Sequence, residues 1–282
     1  ARSMIYNENN DLICFTPPKS VDYNYFVNNH NFLEPTVIVE EFIEGTMITL
    51  FYNQATRAWE ISTKSFVGAN NHFFKSDGNP ITFSKMFYDI CEKSGIDFEY
   101  LDKKLCYNFV FQHPDNRIVT VFQESSLYLI SLYEIEKSGD SWNVYEYNKQ
   151  NVYNHLSSIN ANFTIPIKMP FCYMKAISQQ EGFPHIKYTT QAPGSTNTYE
   201  EHVSQNGYNG LCSYFTNHVP PNVMGVVIKN EATGERTKIR NPQFEYIRNL
   251  RGNQPKLEFH FLELRKNGKL NEFLQYYPEY SS

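Results

Sequence analysis

The chain has 282 residues, 41% hydrophobic and 16% aromatic, enough to bury a sizeable core in one large domain or two small ones. Its formal net charge of −5 argues against indiscriminate nucleic-acid binding, which rests on summed phosphate neutralisation, so any RNA site has to be local. No apolar run approaches a membrane span, no signal peptide is visible at the start, and five cysteines without a C-x-x-C pair suit a reducing, intracellular setting.

Residues 2 to 15 read as a hairpin, two apolar runs around an Asn-rich turn, after which Thr16-Pro17-Pro18-Lys19 breaks the sheet and Phe26 and Phe32 pack under the following loop. Val39 to Tyr52 reads as two extended runs meeting at Glu44-Gly45, where glycine can take the positive φ of a tight turn; a hairpin over 37 to 52 is expected. The run from Ala58 to Ser65 alternates like a strand, with Trp59, Ile61 and Thr63 on one face and Lys64 on the other. Phe83, Met86, Phe87, Ile90 and Cys91 recur at helical spacing between Pro80 and Gly95. Leu105 to Gln112 and Arg117 to Gln123 are expected strands, joined by the turn His113-Pro114-Asp115-Asn116. Ser126 to Ile135 and Trp142 to Tyr147 extend the sheet.

The region from 148 to 181 is mixed, with a short helix expected over Tyr173 to Ile177. From 181 to 221 dense Gly, Ser, Thr, Asn and Pro predict a loop-rich insert. It carries His185, His202, His218 and Cys212, whose spacings match no zinc template. Met224 to Lys229 and Arg236 to Arg240 form a strand pair, Pro242 opens a helix ending near Gly252, and another amphipathic helix spans Leu270 to Tyr276. With no repeat and no low-complexity linker, residues 1–252 are expected to form one domain and 253–282 a helical tail.

Four stretches taken in order carry more than local structure. They are V-E-E-F-I-E-G-T at 39 to 46, N-F-V-F-Q-H-P-D-N-R-I-V at 108 to 119, M-G-V-V-I-K-N at 224 to 230 and K-I-R-N-P at 238 to 242. The series resembles that of the covalent nucleotidyltransferases, most closely the phage-type RNA ligase 1 family. That family carries K-x-D-G, a lysine-bearing strand, F-E-F followed by P-x-N-R-I-V, E-G and K-x-K. The resemblance implies an α+β fold of antiparallel sheets flanked by helices, with a nucleotide cleft between them. It also implies a reaction in which a lysine amine attacks the α-phosphate of ATP with Mg2+ and the adenylate then passes to an RNA 5′-phosphate.

Three charged positions of that pattern are replaced here, the nucleophilic lysine by Phe42 and two metal-facing glutamates by Val110 and Met224. No lysine lies between Lys19 and Lys64, so no shift of register restores the nucleophile. Valine offers a hard cation no oxygen, and a thioether suits Mg2+ poorly. The basic side persists. Arg2, Lys64, Lys238 and Arg240 match phosphate-facing positions, Lys229 lies on the neighbouring strand, Glu44 keeps the acidic character of the family aspartate, and Gly45 keeps its turn. The family carries a segment before its arginine, so the chain reads as trimmed ahead of Arg2.

With the metal-binding carboxylates gone, a net-positive cleft is expected, able to hold a nucleotide, an RNA 5′-phosphate or an RNA backbone phosphate without transfer. Three functions are compatible with this: a ligase-like pseudoenzyme, an active enzyme using another nucleophile such as Lys64 or a pre-adenylated RNA, and a scaffold or virion component contacting other protein subunits. ATP and Mg2+ are expected cofactors only where activity or binding persists, and a composition rich in Asn, Tyr, Phe and Ile suits an AT-rich source such as a large DNA virus.

Overall fold

The computed structural model describes residues 3–72, 81–159, 165, 168–169, 199–217, 219–254 and 256–281. Arg2, the 173–177 segment, His185 and His218 lie outside them, as does the side chain of His202. Two antiparallel sheets organise the chain. One has the order β11-β10-β3-β9, formed by β3 (Val37–Glu41), β9 (Lys168–Met169), β10 (Gly225–Asn230) and β11 (Arg236–Arg240). The other has the order β5-β4-β6-β7-β8, from β4 (Thr46–Asn53), β5 (Ala58–Ser62), β6 (Leu105–Gln112), β7 (Ser126–Ser138) and β8 (Ser141–Glu146). A small hairpin of β1 (Met4–Tyr6) and β2 (Leu12–Phe15) sets Cys14 against Phe51, Cys106 and Tyr133 of the larger sheet. The fold is α+β, as the resemblance implies.

Each sheet buries its outer face under helices. Helix α2 (Phe83–Lys93) opens at Thr82, whose side chain accepts from the Lys85 N–H, and its apolar stripe packs on Ile48, Leu50, Phe109 and Leu129. Helix α3 (Lys149–Ile159) adds Val152 and Leu156 to that core. Against the smaller sheet lie α1 (Tyr23–Asn29) and α4 (Tyr199–Asn217), whose Phe26, Leu211, Tyr214 and Phe215 cover Val37, Val39, Val226 and Ile228. Helices α5 (Pro242–Arg251), α6 (Leu257–Lys266) and α7 (Leu270–Tyr276) form a third cluster against Ile118, Val119 and Met224.

The expected hairpin over 37 to 52 does not form. β3 pairs with β10 and β9, whereas β4 pairs with β5 and β6, so Glu44-Gly45 is the crossing between the two sheets. Gly45 has φ +147, and a Cβ there would sit 2.3 Å from the Phe111 carbonyl oxygen and 2.7 Å from a Val110 methyl carbon. The backbone of β6 fills the space a side chain would need.

The expected strand over 117 to 123 is also absent. Glu44 takes the N–H groups of Val119 and Thr120 on its carboxylate, so those donors cannot serve a ladder. The loop-rich reading of 181 to 221 fails over 199 to 217. There Tyr208, Leu211, Cys212, Tyr214 and Phe215 fall on one face of a helix interrupted at Gly207 and pack on the smaller sheet. β5 ends at Ser62, leaving Lys64 exposed in the turn that follows. Among the described residues no helix is long and apolar enough to cross a membrane.

Gly45→Ala is expected to destabilise the fold by about 3 kcal/mol or more in urea unfolding, through positive φ and the clash with β6. A cost under about 1 kcal/mol, approaching the stabilisation of about 0.4–1 kcal/mol that Gly-to-Ala brings at an unstrained site, would show that the crossing relaxes freely.

Candidate functional site

The inner faces of the two sheets enclose a cleft whose lining follows from strand register. On the smaller sheet Phe42 donates its N–H to the Gly225 carbonyl, and Gly225 in turn pairs with Arg240. The next row is Glu40, Val227 and Lys238, and the third is Ile38, Lys229 and Arg236. On the larger sheet Met47, Val110 and Tyr128 share a row. Between the two faces lies a cavity of about 80 Å³ lined by residues of both sheets, among them Phe42, Met47, Val110, Lys229, Arg236 and Lys238.

Phe42 is the centre of this arrangement. Its ring lies under two cations, with Lys238 Nζ 4.2 Å and the Arg240 guanidinium carbon 5.6 Å from the ring centroid. Such contacts are worth about 0.5–2 kcal/mol each, because the negative face of the ring attracts a cation. Val110 stands across the cavity at 6% exposure and gives it a methyl-bearing wall. Met224 does not line the cavity. It precedes β10 and packs half-buried with Ile118 against the helices of the third cluster.

The expected net-positive cleft is largely neutralised from within. Glu146, at the end of β8, bonds Lys229 Nζ at 2.6 Å and the Arg236 guanidinium at 2.8 Å, with all three side chains no more than 13% exposed. Arg236 also donates to the Tyr133 hydroxyl at 3.2 Å. Glu40 pairs with Lys149 of α3 at 3.0 Å, both nearly buried. Arg240 forms an exposed pair with Glu245 at 2.9 Å. Sequence gave no signal for Glu146, Lys149 or Glu40, since partners 83 and 90 residues apart meet only through sheet packing.

Glu44 serves the fold. One carboxylate oxygen accepts from the Val119 and Thr120 N–H groups at 2.7 and 2.9 Å, and the other accepts from the Thr120 hydroxyl at 2.6 Å. Burial pushes its carboxyl above the usual range, and those hydrogen bonds only partly offset the push. For Glu146, burial also pushes upward, but the Lys229 and Arg236 charges and hydrogen bonds outweigh it and hold the carboxyl below 4.5.

The residues present do not fit the divalent metal that the resemblance implies. Val110 and Met224 offer no oxygen, Glu40 and Glu146 are tied to cations, Glu41 is the further carboxylate of the lining, and among the described residues no trio of His, Cys, Asp or Glu is placed to share an ion. Lys64 is not among the cavity-lining residues. The site therefore brings together Phe42, Val110, Lys229 and Lys238, with Arg240 at its rim. It leaves Lys64 and Met224 outside and gives Glu44 and Gly45 to the sheet crossing.

No protein-family model matches the chain. A curated RNA ligase of Rhodothermus phage RM378 is 27% identical over 108 residues, 36% of this chain and 24% of that protein. The chain thus matches about a quarter of the relative's length. A mutant of the Naegleria gruberi RNA ligase solved with ATP and Mn overlays 82% of this chain and 58% of that one, with a TM-score of 0.45 and 11% identity.

The two buried carboxylates predict opposite pH behaviour. Glu146, lowered in the fold, stabilises fully above 4.5 and loses that contribution as pH falls through its native value. Glu146→Gln is expected to cost about 3–5 kcal/mol at neutral pH and to flatten the acid limb of a stability–pH profile. Glu44, raised in the fold, contributes below 4.5 and loses that contribution as pH rises through its native value. Glu44→Gln keeps an acceptor for both amides and should stay within about 1 kcal/mol at neutral pH, whereas Glu44→Ala orphans two donors and should cost about 2–4 kcal/mol. Thermal melts of the three variants from acid to neutral pH check both signs.

Proposed function

Taking the chain as RNA-ligase-like, the premise its curated match supports, we propose that it is a non-ligating module of that kind. It holds the phosphate of a nucleotide or an RNA end between its sheets and forms no lysyl-adenylate. The observation that carries this reading is the Phe42 ring at the nucleophile's place in the motif series, under Lys238 Nζ at 4.2 Å. Covalent transfer needs a deprotonated amine in line with the α-phosphate. Phenylalanine has no lone pair to offer, and the exposed Lys64 lies in the turn after β5, outside the cavity lining. At Phe42 and Val110 an apolar group stands in the cleft where the motif series has a charge, a change that stabilises the fold once catalysis is no longer selected.

On this reading the ligand is nucleotide or RNA, Mg2+ has no binding set to occupy, and the protein works inside a cell or a viral particle. A second reading, a scaffold whose cleft holds nothing, draws on the cavity volume of about 80 Å³, well below the roughly 300–1,000 Å³ of ordinary ligand pockets.

Incubation with ATP labelled at the α-phosphate, with Mg2+ or Mn2+, is expected to leave no label on the protein after denaturing electrophoresis. An acid-labile label that survives denaturation and disappears in Lys238→Arg would overturn the proposal and identify the working amine.

A further inference from the structure

We propose that the pocket between α5 and α7, outside the cleft, takes one unpaired nucleobase, of a single-stranded RNA or of a free nucleotide. This rests on the nucleotide- or RNA-holding reading above and adds a second contact to it. The pocket has a volume of about 280 Å³ and is lined by Pro221, Pro242, Gln243, Tyr246, Ile247 and Tyr276. That is just under the roughly 300–1,000 Å³ of ordinary ligand pockets, room for one planar ring system.

Its walls are held in place before any ligand arrives. The Tyr246 hydroxyl donates to Glu272 at 2.5 Å and accepts from Lys269 Nζ at 2.8 Å. That ammonium lies 5.4 Å from the ring centroid, nearly the sum of the hydrogen bond and the ring's own reach to its oxygen. It therefore stands beyond the hydroxyl, near the ring plane, and covers neither face. The Tyr276 carbonyl accepts from the Arg117 guanidinium at 2.7 Å. The Asn241 side chain donates to the Pro220 and Val223 carbonyls, both at 2.9 Å, and so seats Pro221 beside Pro242. A wall already ordered loses little freedom on binding.

What the walls present suits a base. Tyr246 and Tyr276 are both exposed, and a tyrosine ring is a surface on which any base can stack. Gln243 commits its backbone N–H to the Asn241 cap and leaves its exposed side-chain amide without a hydrogen bond among the described residues. That amide carries a donor and an acceptor on one planar group, the pairing that a base edge presents. Ile247, 5% exposed, adds apolar surface beneath.

Proline and aromatic walls also suit a proline-rich peptide, and here charge and position favour the nucleic-acid ligand. Arg240 and Arg248 share the carboxylate of Glu245, Lys269 pairs with Glu272, and Arg117 pairs with Glu279. Every one of these cations is paired, yet four of them meet three carboxylates, and the excess positive charge suits a phosphate backbone. The pocket also continues the cleft along the chain, since Arg240 at the cleft's rim is followed by Asn241, Pro242 and Gln243. The larger groove of about 590 Å³ lacks this balance: Glu146, Glu231 and Glu235 outnumber Lys19 in its lining.

Fluorescence anisotropy with a short 5′-phosphorylated oligoadenylate, and with the same backbone carrying no bases, tests this. AMP and a polyproline peptide serve as separate competitors. The base-bearing strand is expected to bind about tenfold or more tightly than the abasic one. Tyr246→Ala and Tyr276→Ala should each remove most of that preference and leave the abasic affinity unchanged, whereas Tyr246→Phe and Tyr276→Phe should keep it, all with unchanged thermal melts. Binding of AMP that Tyr246→Ala abolishes, without a base preference in RNA, places the natural ligand among free nucleotides and upholds the pocket.

Equal affinity for the two strands with no such binding of AMP, or a base preference that both alanine variants leave intact, overturns the inference while the phosphate-holding reading stands. Polyproline binding that Tyr246→Ala abolishes, with no base preference, gives the pocket to a protein partner and overturns it as well. If neither RNA nor nucleotide binds at all, the inference and the reading beneath it both fail.

Discussion

The structure depends on how the chain passes from one sheet to the other between Phe42 and Thr46. Within those few residues the backbone leaves a ladder with Gly225, buries a carboxylate and turns through a glycine pressed onto the Phe111 carbonyl. Glu44 is the pivot. By capping the Val119 and Thr120 N–H groups it fixes the loop after β6, and that loop carries Ile118 and Val119 into the cluster under the C-terminal helices. Arg117 extends the same anchoring, reaching Glu279 at 2.7 Å and the Tyr277 ring at 4.6 Å. The acidic residue and the glycine of this short stretch are thus explained by packing alone, whatever chemistry the cleft performs.

The cations of the cleft are matched from its own walls. A buried cation without a counter-charge costs several kcal/mol, so each needs a partner. Glu146 supplies one for Lys229 and Arg236 from the opposite sheet, and Glu40 supplies one for Lys149. These pairs span the two sheets or join sheet to helix, so they also draw the walls together, in keeping with the small cavity. Lys238 and Arg240 are answered differently, by the face of Phe42 and, for Arg240, by Glu245 at the rim.

Local pattern was enough for most elements. Helical spacing between Pro80 and Gly95 marked the helix over Phe83–Lys93, Leu105–Gln112 matched its strand residue for residue, and Pro242 and Gly252 marked the ends of another helix. Where pattern failed, a distant partner had intervened. The extended run over 117–123 lost its ladder to Glu44, and 199–217 became helical because Leu211, Tyr214 and Phe215 found the outer face of the smaller sheet. The site was half legible: the ordered motifs singled out Phe42, Val110, Lys229, Lys238 and Arg240, all at the cleft, but also Met224 and Lys64, which the fold turns elsewhere.

The sequence by itself determined which side chains stand at the motif positions, since no neighbour can make a phenylalanine into an amine or a valine into a carboxylate. Alternation and turn chemistry, local properties of the chain, also marked most of the strands and helices, while the α+β class was what the motif resemblance implied. Only the tertiary structure decided that Val37–Glu41 and Thr46–Asn53 join different sheets, that Glu146 neutralises two of the cleft's cations, and that the cavity between the sheets is about 80 Å³. Those outcomes depend on which strands pair and in what register, and a run of alternating residues carries no record of the partner it will meet.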